Sequence, residues 1–231
     1  MRINPDDYPV QIRVSGNWAC FTRPELKVER VSYPVMTPSA ARGVLEAIFW
    51  KRQLFRWNVR RIVVLSPIEF TSIRRNEVTK RLGKGKYARP IVADECRDQR
   101  NTVALRNVAY IIEATIHLMG EQQRPIGHGN PYAEYQERFN ECIHRGTCFA
   151  QPVLGCREFA AEFSPVETGG AIHGIGRSEP LGLMFYDFFD IADHDPEQMA
   201  TPRFFPAVLS KGVLDVDRST VRPGLKELRE P

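Results

Sequence analysis

The fold is decided first by the stretch Thr37-Pro-Ser-Ala-Ala-Arg-Gly-Val-Leu-Glu-Ala-Ile-Phe-Trp50. Thr37 is a favourable N-cap residue, and Pro38 occupies the first helical position, where its missing N–H is not needed. The apolar side chains that follow recur at helical spacing and form one stripe: Ala41, Val44, Leu45 and Ile48. The stretch therefore predicts a helix from Pro38 to about Lys51 that buries one face.

Strand patterns flank this helix on both sides. Val10 to Val14 alternates apolar and polar residues, which is typical of a half-buried strand. Val59 to Ile73 is rich in β-branched residues, and Pro67 within it indicates an edge or a bulge. Val103 to Leu118 alternates again, so that every second residue from Val108 onward is expected on one face.

A second helix is predicted after Asn130-Pro131. Its apolar stripe consists of Tyr132, Tyr135, Phe139, Cys142 and Ile143. His144 and Arg145 supply a cationic last turn, and Gly146 supplies a stop signal. A further strand is expected around Val153 to Phe163.

The resulting order is β-α-β-β-α-β, which predicts an α+β fold with a ferredoxin-like arrangement, as in RNA-recognition motifs. We assign residues 1–164 to this ferredoxin-like domain. Turn-rich sequence then separates three short strand patterns at Leu181–Phe189, Arg203–Leu209 and Gly212–Val216. Residues 165–231 are therefore expected to form a small C-terminal antiparallel β domain that ends in a polar tail.

The composition is that of an ordinary globular chain. Its 231 residues are 42% hydrophobic and 26% charged, with a formal net charge of +4. No apolar run approaches the roughly 20 residues that a membrane helix needs. Pro5, Asp6 and Asp7 argue against a secretory signal peptide. A cytoplasmic protein without a membrane partner is expected.

The five cysteines include no Cys-x-x-Cys pair, so reduced thiols are the simplest expectation. The spacing of Cys142, His144, Cys148 and Cys156 fits none of the usual zinc patterns. We therefore predict neither a metal site nor a cofactor.

The connection from Ser72 to Thr102 is long and basic, which makes it a candidate surface for contact with nucleic acid. Its cations are Arg74, Arg75, Lys80, Arg81, Lys84, Lys86, Arg89, Arg97 and Arg100. Lysine and arginine neutralise phosphates, and Tyr87 among them is suited to stacking on an unpaired base. The alternative is a solvated run of charges.

A second basic set consists of Arg23, Lys27, Arg30 and Arg42. Ion pairs with Glu25, Glu29 and Glu46 are the alternative to RNA contact for these residues. Trp50 and Trp57 are expected in the core rather than on an RNA surface, because tryptophans are highly buried on average.

Six strings in one order carry a resemblance to a known family. They are the run from Phe21 to Trp50, which contains Lys27-Val-Glu-Arg-Val-Ser-Tyr33 and the Thr37–Trp50 stretch, then Ile73-Arg-Arg-Asn-Glu-Val78, Leu105–Ala114, Gln151-Pro-Val-Leu-Gly-Cys-Arg-Glu-Phe159, Leu181-Gly-Leu-Met184 and Thr201-Pro-Arg-Phe-Phe-Pro-Ala-Val208. Over essentially its whole length the chain resembles the CRISPR-associated Cas-five (Cas5) family in its type I-C form. The resemblance implies binding of CRISPR repeat RNA and metal-independent cleavage of pre-crRNA at the 3′ base of the repeat hairpin.

The same resemblance implies partners. Members of the family stay on the crRNA 5′ handle as a Cascade subunit, beside Cas-seven and Cas-eight subunits, and double-stranded DNA is a further partner that it allows. Two alternatives remain open. One is a non-catalytic subunit that caps the 5′ handle, and the other is a general nucleic-acid-binding protein.

The family's catalytic groups are a Tyr near the end of the first helix and a Lys-His pair that opens the second. The corresponding positions here are Phe49, Glu134 and Tyr135. Substitute groups predicted for the catalytic site are His128, whose reference pKa lies near 6.5, Tyr132, Tyr135 and Lys51. Core packing is the alternative for both tyrosines, since they belong to the apolar stripe of the second helix.

Overall fold

The computed structural model describes residues 4–26, 28–51, 54–80, 91–119, 129–167, 172–188, 202–217 and 226–227. Its two α-helices are α1 (Pro38–Ile48) and α2 (Pro131–Arg145). The strands in chain order are β1 (Val10–Ala19), β2 (Arg30–Val31), β3 (Phe55–Val64), β4 (Phe70–Val78), β5 (Arg97–Leu118), β6 (Glu162–Ser164), β7 (Glu179–Asp187), β8 (Arg203–Ser210), β9 (Val213–Asp215) and β10 (Lys226–Glu227). No helix in the described part of the chain is long and apolar enough to span a bilayer.

The strands pair into one sheet with the order β10-β8-β9-β3-β5-β1-β6, while β2 and β4 pair with β5 and β7 pairs with β8. β2 pairs with β5 in parallel, and the other described pairs are antiparallel. β5 lies at the centre of the sheet because its 22 residues pair with two sets of neighbouring strands. Its first half pairs with β4 and β2, and its second half pairs with β1 and β3.

The predicted periodicities mark the core correctly. Every second residue of β5 from Val108 to Leu118 is buried, as the alternation indicated. The stripe of α1 is buried, and α1 packs against β3 and β7. The stripe of α2 also faces the core, with Tyr135, Phe139 and Ile143 buried and Tyr132 and Cys142 half-buried. α2 packs against β1, β5 and β6 and also contacts α1.

The capping residues predicted the starts of both helices correctly. Thr37 Oγ1 accepts a hydrogen bond from Ala40 N, and Asn130 Oδ1 accepts one from Tyr132 N. Gly146 ends α2 in the left-handed conformation, with φ of 63°. The end of α1 was predicted too late: the helix stops at Ile48, because Phe49 is already extended at φ −148° and ψ 121°.

The sequence predicted one long connection from Ser72 to Thr102, and this was wrong for both of its ends, which are paired strands. Val59 to Ile73 is not one strand but parts of two, β3 and β4, with Pro67 in the turn between them. The flanks of the connection are the paired strands β4 and β5, in register from Phe70↔Leu105 to Val78↔Arg97. The sequence did not predict this hairpin because β4 has no apolar face: its side chains alternate between exposed and half-buried, and none is fully buried.

The strand expected around Val153 to Phe163 is mostly a turn. Gly155 adopts φ of +87°, and Leu154 N donates to Phe159 O at 2.8 Å, so the chain folds back on itself. Only Glu162–Ser164 pairs as a strand, on the edge beside β1. Leu154 of this turn is fully buried in the main core and lies against Gly16 of β1.

The three C-terminal strand patterns became β7, β8 and β9, as predicted. β9 pairs with β3 through Ile62↔Leu214, so these strands continue the large sheet. The division at residue 165 stays a prediction. Of the predicted polar tail from Asp217, only Asp217 and the two residues of β10 belong to the described chain.

Candidate functional site

The end of α1 and the first turns of α2 meet at a cluster of aromatic rings. Trp57 is fully buried, as predicted, and its Nε1 donates to Phe49 O at 2.9 Å, which fixes the chain where it leaves α1. The Phe49 ring stacks on Phe55 at 5.8 Å, and Phe55 lies 4.9 Å from the Tyr135 ring. Phe49 and Tyr135 are themselves 6.3 Å apart between ring centroids. Two positions that sequence reasoning assigned to the catalytic site are therefore neighbours.

The first turn of α2 adds one more candidate residue, Tyr132, and also Glu134, which stands where the sequence departs from the family's catalytic pattern. The Tyr132 ring stacks on Tyr8 at 6.1 Å with an interplanar angle of 16°. Glu134 is exposed and pairs with Arg138 at 2.9 Å, one turn further along the helix. The negative charge of Glu134 is thus partly neutralised by its own helix.

Burial sets the protonation of both candidate tyrosines. Desolvation raises the pKa of Tyr135, and Glu134 raises it further, while Arg138 acts in the opposite direction. Desolvation also raises the pKa of Tyr132. Because a phenol ordinarily titrates near pH 10, both side chains keep their proton at neutral pH. They are suited to donate a proton and unsuited to act as a base.

Lys51 lies on the exposed side of the same cluster. Its carbonyl oxygen accepts from Leu54 N at 3.1 Å and Phe55 N at 3.4 Å, which holds the Lys51 backbone beside the Phe55 that contacts Tyr135. His128, the fourth catalytic candidate, lies outside the described residues, and the described chain resumes at Gly129 directly before α2.

Two exposed aromatic side chains border this cluster. Trp50 is 41% exposed, so its prediction as a core residue was wrong. Because the chain is extended after α1, the Phe49 side chain points into the aromatic cluster and the Trp50 side chain points to solvent. Phe149 is 88% exposed, and its N–H donates to Ile48 O at 3.3 Å, which carries it to the C-terminal end of α1. Aromatic rings open to solvent beside a cation are suited to stacking on unpaired bases.

The β4–β5 hairpin carries the first predicted basic set. Arg74 and Lys80 are exposed. Arg75 is half-buried and pairs with Glu77 and, at 3.3 Å, with Glu158. Lys27 and the remaining predicted RNA contacts, Arg81, Lys84, Lys86 and Tyr87, lie outside the described residues.

The second basic set is engaged in ion pairs. Arg23 lies 3.9 Å from Glu25 and stacks over the Tyr33 ring at 4.5 Å, while Arg30 pairs with Glu77 at 3.2 Å. These contacts are of the kind that the sequence left open as the alternative to RNA contact. A role of Arg23 or Arg30 in RNA binding stays a prediction.

Arg42 is held more firmly than the other cations. Its Nε and Nη2 donate to the two carboxylate oxygens of Asp187 at 2.8 and 3.1 Å, and its Nη1 donates to Glu46 at 2.6 Å. Burial opposes the charge of Arg42, but the carboxylates of Asp187 and then Glu46 outweigh it and raise the pKa of the guanidinium. This geometry favours a structural role for Arg42, and its predicted contact with RNA is untested.

Residues 10–217 match the model of a family described as CRISPR-associated protein (Cas_Cas5). The chain belongs to the CRISPR-associated Cas5 family. Two relatives of this Cas5 chain are each named CRISPR pre-crRNA endoribonuclease Cas5d. The relative from Mannheimia succiniciproducens is 39% identical over 222 residues, which cover 90% of this chain and 94% of the relative. The relative from Thermus thermophilus is 40% identical over 220 residues, which cover 90% of each chain.

A solved structure described as a CRISPR-associated protein is similar to the Cas5 chain in fold. The two superpose with a TM-score of 0.62 over 90% of this chain and 91% of the other, at 21% sequence identity. At that identity the likeness concerns the fold alone, a mixed α+β structure with a large antiparallel sheet.

Sequence reasoning missed three residues of this Cas5 chain that contact or border the candidate residues. Tyr8 stands before the first strand without a pattern to mark it, and Phe149 follows α2 in a short polar segment. Asp187 is 145 positions from Arg42, so nothing local could have paired them. The available signal was weak: Phe149 is an isolated aromatic residue between Cys148 and Ala150, outside every periodic pattern.

Proposed function

We propose that this chain is a pre-crRNA endoribonuclease that cuts CRISPR repeat RNA at the 3′ base of its hairpin and stays on the 5′ handle as a Cascade subunit. Two relatives named for the endoribonuclease activity, each about 40% identical, support this function. The structural observation that carries it is the meeting of the two helices at Phe49 and Tyr135, 6.3 Å apart. Cas-seven and Cas-eight subunits are the proposed neighbours in the complex.

The fold proposed for the RNA-binding part is ferredoxin-like. The strands of the β-α-β-β-α-β unit are β1, β3, β5 and β6, and their order across the sheet is β6-β1-β5-β3. Numbered within the unit, this order is 4-1-3-2 with antiparallel neighbours, and it supports the arrangement predicted from the sequence.

The proposed reaction needs no metal. The ribose 2′-OH loses its proton to a base and attacks the adjacent phosphate, while an acid protonates the departing 5′-oxygen. A 2′,3′-cyclic phosphate and a free 5′-hydroxyl result. Tyr135 or Tyr132 suits the role of the acid, because their phenols stay protonated at neutral pH. His128 is the proposed base, and exposed Lys51 is the proposed cation beside the phosphate.

The RNA is proposed to run across the end of α1. Trp50 and Phe149 offer exposed rings for the unpaired nucleotides next to the cut, and Lys51 offers charge for the backbone. The β4–β5 hairpin is the second proposed contact, through Arg74 and Lys80, which are both exposed.

A non-catalytic subunit that caps the 5′ handle is the second candidate. Two observations favour it. Phe49 has no ionisable group, and Glu134 is a negatively charged side chain that forms an ion pair with Arg138. In this function the exposed rings and the hairpin still bind RNA, but another protein makes the cut.

Incubation of the purified chain with its own repeat RNA in excess EDTA at neutral pH separates these functions. A single cut that ends in a 2′,3′-cyclic phosphate is expected for the endoribonuclease. Tight, hairpin-specific binding without cleavage would establish the capping subunit. Equal affinity and equal salt dependence for repeat RNA, random RNA and double-stranded DNA would instead indicate a general nucleic-acid-binding protein.

Tyr135→Phe provides the sharper variant. Loss of a general acid lowers the cleavage rate by roughly 10²- to 10⁴-fold, and the RNA affinity should stay unchanged. Tyr110→Phe is the matched control, because Tyr110 is a buried tyrosine of β5 whose ring packs against Phe21 rather than against the rings around Phe49. Equal cleavage by wild type and Tyr135→Phe would remove Tyr135 from the reaction.

A further inference from the structure

The turn that contains Cys156 closes directly onto the end of β1. Cys20 N donates to Leu154 O at 3.0 Å. A Cβ atom added to Gly155 would lie 2.0 Å from Cys20 O, and Gly155 has φ of +87°. Only glycine permits this approach of two backbones. Cys156 Sγ consequently lies 3.7 Å from Cys20 O.

The two thiols also contact each other and a cation. Cys20 and Cys156 belong to one small buried cluster, and Arg30 Nη1 donates to Cys156 Sγ at 3.2 Å. The hydrogen bond from Cys20 and then Arg30 lower the pKa of Cys156, against burial and Glu158, which raise it. The pKa of Cys20 is raised, chiefly by its hydrogen bond to Cys156 and by burial. Arg30 beside Cys156 Sγ therefore makes Cys156 the more acidic of the two thiols.

We propose that Cys156 and Cys20 form a peroxide-oxidisable pair, with Cys156 as the attacking thiolate and Cys20 as the resolving thiol. Cys156 Sγ attacks one oxygen of hydrogen peroxide, the O–O bond breaks, and a sulfenic acid and hydroxide form. Cys20 Sγ then attacks the sulfenic sulfur, an S–S bond forms, and the sulfenic oxygen leaves as water with the proton of Cys20. Two thiols are oxidised by two electrons, and the peroxide is reduced to two waters.

The position of the pair links its oxidation to the β4–β5 hairpin. Arg30 pairs with Glu77 on β4 as well as with Cys156. Arg75 of the same strand pairs with Glu77 and with Glu158, two residues beyond Cys156. Disulfide formation removes the thiolate charge that Arg30 neutralises, so the charge balance beside Glu77, near the loop end of the β4–β5 pair, changes. This inference does not depend on the proposed cleavage reaction.

The test is peptide mapping of the full chain, reduced, desalted and treated with one equivalent of hydrogen peroxide. The expected result is a loss of two of the five thiols and a linked peptide pair that contains Cys20 and Cys156. Cys148, the exposed cysteine, is the internal comparison. Oxidation of Cys148 with Cys20 and Cys156 both still reduced would overturn the proposal.

Three variants separate the roles within the pair. Cys20→Ser should leave a sulfenic acid on Cys156 that dimedone labels, and Cys148→Ser should form the linked pair as wild type does. Arg30→Gln should slow the loss of the Cys156 thiol at neutral pH, because it removes the charge that stabilises the thiolate. An unchanged rate in Arg30→Gln would contradict the role of Arg30. Peptide mapping of the wild type decides the main proposal even where a variant fails to fold.

Discussion

Replacement of Asp187 by asparagine tests whether Arg42 holds the fold together or serves RNA. Asp187 binds Arg42 through both carboxylate oxygens, and the side chains are 10% and 18% exposed. Asparagine keeps the size and one accepting oxygen but removes the charge. The guanidinium of Arg42 then stays buried with less compensation, so the free energy of unfolding should fall.

The magnitude follows from the burial of the pair. Removal of one partner from a buried ion pair costs about 3 to 5 kcal/mol. Glu46 remains 2.6 Å from Arg42 and asparagine can still accept a hydrogen bond, so we expect a smaller loss of about 2 to 3 kcal/mol. For a chain of this size each kcal/mol lowers Tm by about 2 to 4 °C, which gives a decrease of roughly 4 to 12 °C.

Calorimetry or urea denaturation measures this change, with Glu69→Gln as the matched control. Glu69 pairs with Arg106 at 2.7 Å, but these side chains are 44% and 54% exposed. Loss of such a surface pair costs at most about 1 kcal/mol. Equal destabilisation by Asp187→Asn and Glu69→Gln would refute the reasoning. Tighter RNA binding by Asp187→Asn would show that the released guanidinium of Arg42 reaches phosphate.

The remaining predictions concern the residues predicted to contact RNA and the position of Phe49. Arg74 is exposed and makes no ion pair with any described residue, so Arg74→Ala should weaken binding and reduce the slope of log K against log salt by about 0.7 to 0.9; an unchanged slope would exclude a phosphate contact. Arg75→Ala should instead lower Tm, since Arg75 is half-buried between two carboxylates, and equal Tm values would contradict this. Trp50→Ala and Phe149→Ala should each cost about 1 to 3 kcal/mol of affinity for single-stranded repeat RNA, with no loss for a fully paired duplex. Phe49→Tyr should raise the cleavage rate in EDTA, and a rate equal to wild type would show that a hydroxyl there does not act.

The sequence predicted the elements whose signals are local. Thr37-Pro38 and Asn130-Pro131 start helices because the capping side chain and the N–H groups that it satisfies lie within three residues. Gly146 ends α2 because only a residue tolerant of positive φ fits there without strain. The alternation of β5 predicted its buried face, since the period of a strand is fixed by its backbone.

The β4–β5 hairpin shows where local signals fail. Its paired strands carry charged or other polar side chains at most positions, so hydrophobic periodicity does not predict them, and the sequence predicts a loop from Ser72 to Thr102 instead. Pairing between backbones holds it instead, from Phe70↔Leu105 to Val78↔Arg97. Cross-strand hydrogen bonds leave little trace in the composition of a strand that is not fully buried.

The arrangement of the site was decided by tertiary structure alone. Phe49 and Tyr135 meet because α1 and α2 pack on one sheet, although 86 residues separate them in the chain. Arg42 is joined to Asp187, and Cys156 to Cys20, across 145 and 136 positions. Sequence determined which side chains were available and which faces they occupied, whereas the folded sheet determined which of them touch. Distance along the chain carries no information about such contacts, because they depend on the packing of whole elements.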